Sequence, residues 1–253
     1  MQNDFGSFMI FMLVGFVAQL IDGALGMAYK VSSNTFLLSM GIPPNFASAS
    51  VHLAGMFTSL VSGLSHLKFG NVDKRLVLKL AVPGIIGGGI GAFLLAKVFN
   101  GERMLPYVSG YLVIMGIVIV VKSFNMKDQH RNFRKRFVLP LGFIGGFLDS
   151  IGGGGWGPIV TTSLLSTGHH PRKSIGSVNL AEFFVTVVIS FTFLLTLGTM
   201  KNWVNVAGLM LGGVLAAPLG ALLTKKLPMR WMMLAVGLLI IGLSIRTLLL
   251  AIF

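Results

Sequence analysis

Three carboxylates, one lysine and one histidine interrupt otherwise apolar stretches of this chain. The carboxylates are Asp22, Asp149 and Glu182, three of only seven acids in the sequence. The lysine is Lys30 and the histidine is His52. An ionisable side chain at membrane depth is costly, and its default reading is functional. Buried carboxylates can exchange protons, because burial penalises their charged form. A buried ammonium can neutralise an anion. These residue types serve the binding and movement of a charged solute. Bond-breaking chemistry has no comparable signal. There is no His-Glu-x-x-His, no Gly-x-Ser-x-Gly and no Gly-x-x-x-x-Gly-Lys, so an enzyme is not expected and no cofactor or metal site is read.

The elements that must position these residues come in two copies. Residues 15–61 align without a gap on residues 142–188, an offset of 127, with about fifteen identities. The matches include Gly15 with Gly142, Asp22 with Asp149, Gly26 with Gly153, Gly41 with Gly168 and Pro44 with Pro171. After small insertions the match resumes with Gly84 and Gly213, then Gly91 and Gly220. The expected division is a first repeat at 1–122, a basic linker at 123–136 and a second repeat at 137–253 within one membrane domain. Each copy holds five apolar segments, about ten in all. A full crossing needs about 20 apolar residues, and the second segment of each copy, near 30–40 and 156–167, is too short. The expected fold is therefore an all-α polytopic membrane protein. Each repeat is read as a re-entrant or broken-helix hairpin followed by three transmembrane helices. An odd number of crossings turns the second repeat upside down relative to the first, the plan that supports alternating access.

Composition agrees. Charged residues are 11% of the chain and hydrophobic ones 54%, too little polarity to face water all round, since soluble domains carry about 25% charged residues. The net charge of +13 is read as topology and lipid contact, with no nucleic acid partner. With the linker in the cytoplasm, 15 of the 20 basic residues fall on that side. This reads as a multi-pass membrane protein with both termini extracytoplasmic. The first apolar stretch has no basic n-region, so it reads as a retained helix. There is no cysteine and hence no disulfide or thiolate site.

The hairpin tips run from Asp22 to Lys30 and from Asp149 to Pro158. The run Gly152 to Gly155 breaks any helix, and irregular backbone at this depth survives only beside protein or a water-filled cavity. Gly153, Gly154 and Gly155 are read as substrate-binding backbone. The half-helix after each tip points its positive end at the break, which suits an anion. Ser32, Ser33, Asn34 and Thr161 open those half-helices as neutral donors. His52 and its copy Asn179 lie mid-span in the next helix and are read as contacts from two related sides, against simple interhelical hydrogen bonds. Asp22 and Asp149 are read either as proton carriers or as acceptors that hold the tips. Glu182 has no acidic copy, since Gly55 takes its place, and so it is the coupling candidate. Lys30, whose copy is Gly157, is read either as the countercharge for an anion or as the partner of Asp22.

At these residues the chain resembles the TauE/SafE family of sulfite-exporter and toluene-sulfonate-uptake permeases. The resemblance rests on Gly15-Phe16 with Asp22 and Gly26, and on its copy Gly142-Phe143 with Asp149, Gly153 and Pro158. It rests also on Ser50-Val51-His52-Leu53-Ala54 and Ser177-Val178-Asn179-Leu180-Ala181. It implies movement of small sulfur-containing anions, such as sulfite, thiosulfate or organosulfonates, across the cytoplasmic (inner) membrane; a proton as coupling ion is the reading of the buried carboxylates. The partners expected are that anion and the lipid bilayer; a homo-oligomer is left open. Two other classes stay open from the residues themselves. One is a metal-ion or other cation transporter using the carboxylates, and the other a non-transporting membrane scaffold.

Overall fold

The computed structural model describes residues 2–124, 137–166, 170–198, 203–223 and 229–252. Among these residues every regular element is helical. The first half holds α1 (Gln2–Leu25), α2 (Tyr29–Ser39), α3 (Pro44–Lys68), α4 (Lys74–Phe93, prolonged by a π turn at Leu94–Val98) and α5 (Gly101–Phe124). The second holds α6 (Val138–Gly152), a π turn at Gly157–Thr161 that leads into α7 (Thr162–Ser166), then α8 (Pro171–Leu197), α9 (Trp203–Leu223) and α10 (Met229–Ile252). Seven of the helices are long and apolar enough to cross a membrane. Residues 125–136 of the basic linker fall outside the described residues, as does most of the turn at Gly168 and His169.

The two halves use the same local devices. Pro44 and Pro171 each open a long helix, where the missing N–H has no partner to lose. Gly26 and Gly153 each end the first hairpin arm at positive φ, 70° and 65°, a conformation that a side chain resists. Gly15 and Gly142 each let a helix backbone approach another, against Leu209 and Leu80 respectively. Gly212 meets Met12, Gly220 meets Gly23 and Gly87 meets Phe143 in the same way, so these glycines serve close packing between helices.

These contacts exchange the halves. Helix α1 packs on α9, while its copy α6 packs on α4. Helix α3 packs on its own copy α8, and α5 on α10. Both of these self-paired couples run antiparallel. Ser62 meets Asn179 whereas His52 meets Phe193, so numbers rise along α3 as they fall along α8. Likewise Gly116 meets Ile241 while Phe124 meets Arg230. Equivalent helices lying side by side in opposite senses are what an inverted repeat produces.

The outside of the bundle is apolar, as a lipid-facing surface must be. Leu195 is 83% exposed and Leu250 68%, whereas the polar residues of the tips are buried. The two first arms differ in length: residues 5–25 of α1 form a stretch as long as a span, while α6 has only 15 residues. Helix α1 lies along the whole of α9 and gains a packing partner for its full length.

Candidate functional site

The two hairpins cross at their tips. Gly157 lies on the backbone of Gly26 and Met27, and Gly154 lies on the backbone of Val31. Side chains of each hairpin complete the other. Asn34 Nδ2 donates to the Gly152 carbonyl at 2.9 Å, and its positional copy Thr161 donates from Oγ1 to the Gly26 carbonyl at 2.6 Å. The crossing is level with the middle of α3 and α8, since Gly55 touches the Lys30 stem and Thr186 Oγ1 lies 3.2 Å from Lys30 Nζ.

Each tip is folded around its aspartate in the same way. Asp22 Oδ1 accepts from the backbone N–H of Ala28 (2.7 Å) and Tyr29 (3.2 Å). Asp149 Oδ1 accepts from Gly155 (2.8 Å) and Trp156 (3.0 Å). The ring-bearing residue that follows is anchored too. Tyr29 donates from its hydroxyl to the Leu209 carbonyl at 3.0 Å, and Trp156 from Nε1 to the Val178 carbonyl at 3.2 Å. One oxygen of each aspartate thus binds the backbone of its own tip. The foremost N–H groups of each half-helix are engaged with a carboxylate in this arrangement, Gly155 N–H among them.

Beyond that shared scheme the tips differ. Lys30 reaches across the crossing, where its ammonium pairs with Asp149 Oδ2 and with Glu182 Oε1, the latter at 2.9 Å. Both partners belong to the second repeat, so among the described residues Lys30 is bridged across the repeats and not to Asp22. Two exchanges in the repeat make this possible. Gly157 stands where the first copy has Lys30, and it has no room for a side chain. Gly55 stands where the second copy has Glu182, and the Lys30 stem runs past it, so that a methyl group added there would lie 3.5 Å from the stem. His52 adds a fourth member, with Nε2 3.1 Å from Asp149 Oδ2. The set is buried throughout: Lys30 is 4% exposed, and Asp149 and His52 are 0%.

Asp22, Lys30, Asp149, Gly154, Gly155 and Glu182 line a small cavity between the tips, with room for about one water molecule. The cavity is too small to hold a polyatomic ion beside the ammonium. Three carboxylates share this cavity with one lysine. Among the described residues no group of three His, Cys, Asp or Glu side chains is arranged to hold a metal ion.

The other residues singled out from the sequence fall around this centre. Asn34 and Thr161 tie the tips together, as above. Gly153 lies on the Asn34 side chain. Ser32 and Ser33 are buried one turn into α2, and their hydroxyls find no protein partner. Asn179 is not brought to Lys30. Its amide donates to the Ile175 carbonyl at 3.0 Å and accepts from Ser62 at 2.8 Å, so it serves the α3–α8 contact. His169 lies outside the described residues, and His170 is exposed just before α8. Sequence reasoning missed Tyr111 of α5, whose ring covers Gly152 and whose hydroxyl, without a protein partner, covers Gly155. It missed His66 as well, which bonds the Gly23 carbonyl at 3.0 Å and steadies the first tip. Neither residue belongs to a repeated motif; a polar side chain inside a span was the only signal.

Comparison with known proteins agrees with this architecture. The family described as "Sulfite exporter TauE/SafE" matches residues 11–247. The probable membrane transporter protein YtnM of Bacillus subtilis (strain 168) is 44% identical over 246 residues, covering 94% of this chain and 82% of the relative. The probable membrane transporter protein YunE of the same organism is 21% identical, over 87% of this chain and 90% of the relative. The probable membrane transporter protein ORF9 of Sinorhizobium sp is 27% identical, over 74% and 67%. No solved structure matches the chain.

Proposed function

This chain belongs to the sulfite exporter TauE/SafE family, and we propose that it is a secondary transporter moving small sulfur-containing anions such as sulfite, thiosulfate or organosulfonates by alternating access. The observation that carries the reading is Lys30. A single buried ammonium sits where two inverted hairpins cross, at mid-depth, held by two carboxylates that a substrate anion could replace. An ammonium in a low-dielectric site attracts an anion strongly, and the broken hairpins supply a place where backbone can open at that depth. Parting the tips toward one side exposes Lys30 to that side, and the inverted repeat gives the opposite opening by the same motion. Asp22 and Asp149 hold the tip backbone, while Glu182 keeps the ammonium occupied when no anion is bound. The family supports a seat in the cytoplasmic membrane, and the basic residues that gather on one side support termini that lie outside.

The excess of carboxylates over lysine favours a second reading, a cation transporter. One measurement separates the two. Purified protein is heated with sulfite, thiosulfate, taurine, sulfoacetate, sulfate and divalent cations in turn, since a ligand of the folded state raises its unfolding temperature. The expected result is stabilisation by one or more sulfur anions, lost in a folded Lys30→Ala protein. Stabilisation by a cation alone, or anion stabilisation that survives in Lys30→Ala, overturns the reading.

A further inference from the structure

We infer that one exchangeable proton resides between His52 Nε2 and Asp149 Oδ2, and that it crosses the membrane with the anion. Its existence follows from hydrogen-bond accounting alone; its use rests on the transport reading.

His52 Nδ1 lies 2.7 Å from the backbone carbonyl of Ser48, which can only accept. It also lies 3.3 Å from Ser48 Oγ, whose own hydrogen is directed at the Ser150 carbonyl at 2.6 Å. Both neighbours of Nδ1 are therefore acceptors, and Nδ1 carries a hydrogen. In a neutral imidazole the other nitrogen, Nε2, is then a bare acceptor. Yet Nε2 faces Asp149 Oδ2 at 3.1 Å, and an ionised carboxylate is also an acceptor only. Two lone pairs at this distance in a dry site repel. A hydrogen must lie between them, either on Nε2, giving an imidazolium beside a carboxylate, or on Oδ2, giving a carboxylic acid that donates to a neutral ring. In both cases the pair holds one proton more than a neutral histidine beside an ionised aspartate.

The surroundings make this proton useful. The ionisable groups facing the pair are Lys30 from α2, which pairs with Asp149, and Glu182 from α8, which pairs with the same Lys30, with Tyr111 of α5 near Asp149 and Asp22 of α1 across the cavity. The Phe193 ring of α8 closes the free side of His52 at 6.1 Å between centroids. Without the proton, three carboxylates face one cation. An anion arriving at Lys30 adds a further negative charge to a buried site, a penalty that the shared proton offsets. His52 stands on α3, while Asp149 stands on the hairpin tip. Separating the tip from α3 therefore breaks the one hydrogen bond that holds the proton, and it leaves for water on whichever side has opened. Anion and proton are released by the same motion.

The test begins without substrate. The chain has one Val-His pair, Val51-His52, so carbonyl-labelled valine with nitrogen-15 histidine assigns His52 in the wild-type protein in lipid, with no variant that could misfold. The expected spectrum shows Nδ1 protonated and Nε2 protonated or strongly bonded to a shared hydrogen. A bare Nε2, or a bare Nδ1, overturns the inference. Thiosulfate and sulfite uptake into vesicles is then followed with and without a pH gradient. Uptake is expected to rise when the gradient drives protons in the direction of the anion. Anion movement indifferent to pH, with the proton present by resonance, overturns the coupling. A resident proton with no movement of any sulfur anion leaves the proton site standing and removes the transport reading instead.

Discussion

The first and second hairpin tips share a backbone scheme and differ in charge. Asp22 and Asp149 each gather two N–H groups, six and seven residues ahead, at nearly the same distances. Only Asp149 also faces a lysine and a histidine. The aspartate at a tip thus has two separable tasks. Folding the break needs it in both repeats; handling charge needs it in one. Symmetry supplies the frame that can open either way, and two paired exchanges, Lys30 for glycine and Glu182 for glycine, place the chemistry off-centre within it.

The largest expected effect lies in removing each aspartate in turn. Asp149→Ala leaves a buried ammonium with one carboxylate fewer and frees the tip, a loss of about 3–5 kcal/mol by analogy with broken buried pairs. Asp22→Ala removes a cap and costs about 1–2 kcal/mol. Unfolding in detergent should rank them in that order; equal losses would mean that the charge of Asp149 adds nothing to its cap.

A sharper contrast is expected at the paired glycines. Gly157→Ala pushes a methyl group onto the Met27 backbone, where nothing can yield, and should destabilise by about 1–3 kcal/mol. Gly55→Ala meets only the Lys30 stem and the Tyr29 ring at ordinary contact distance, and its stability should be close to that of the wild type. A tolerated Gly157→Ala would show that the tips do not pack as tightly as described.

The smallest effect concerns the reciprocal bonds. Asn34→Ala and Thr161→Val each remove one bond between hairpins, worth about 0.6–1.7 kcal/mol in membrane proteins. Because each bond ties one tip to the other, the double variant should lose little more than the larger single loss if either bond alone fails to hold the crossing, and the sum if both act independently. Chemical unfolding of the three proteins distinguishes these outcomes.

Much of this was readable in the sequence. The offset of 127 paired Asp22 with Asp149, located both breaks and exposed the unequal positions at Lys30 and Glu182. What it could not show was which copy answers which. Alignment places Lys30 next to Asp22 along the chain, whereas the crossing sets it against Asp149, because the tips meet across the repeat and not within it. The equivalence of His52 and Asn179 did not show their different partners for the same reason. Equal positions in an inverted repeat face different neighbours once those neighbours differ, and Asn179 meets Ser62 where His52 meets an aspartate. Tyr111 had no repeated partner to mark it.

The crossing also imposes an order on how the protein is made. Lys30 leaves the ribosome 119 residues ahead of Asp149 and further ahead of Glu182. Until the second hairpin arrives, the first carries an uncompensated ammonium and a tip carbonyl, that of Gly26, without its Thr161 donor. A lysine at the centre of an inserting segment costs about 2.5–3.5 kcal/mol, so the first half of the chain enters the bilayer at a cost that the second half later removes. The insertion machinery must shelter it while most of another half is translated, and a chain truncated at the basic linker should be handed to quality-control proteases instead of folding.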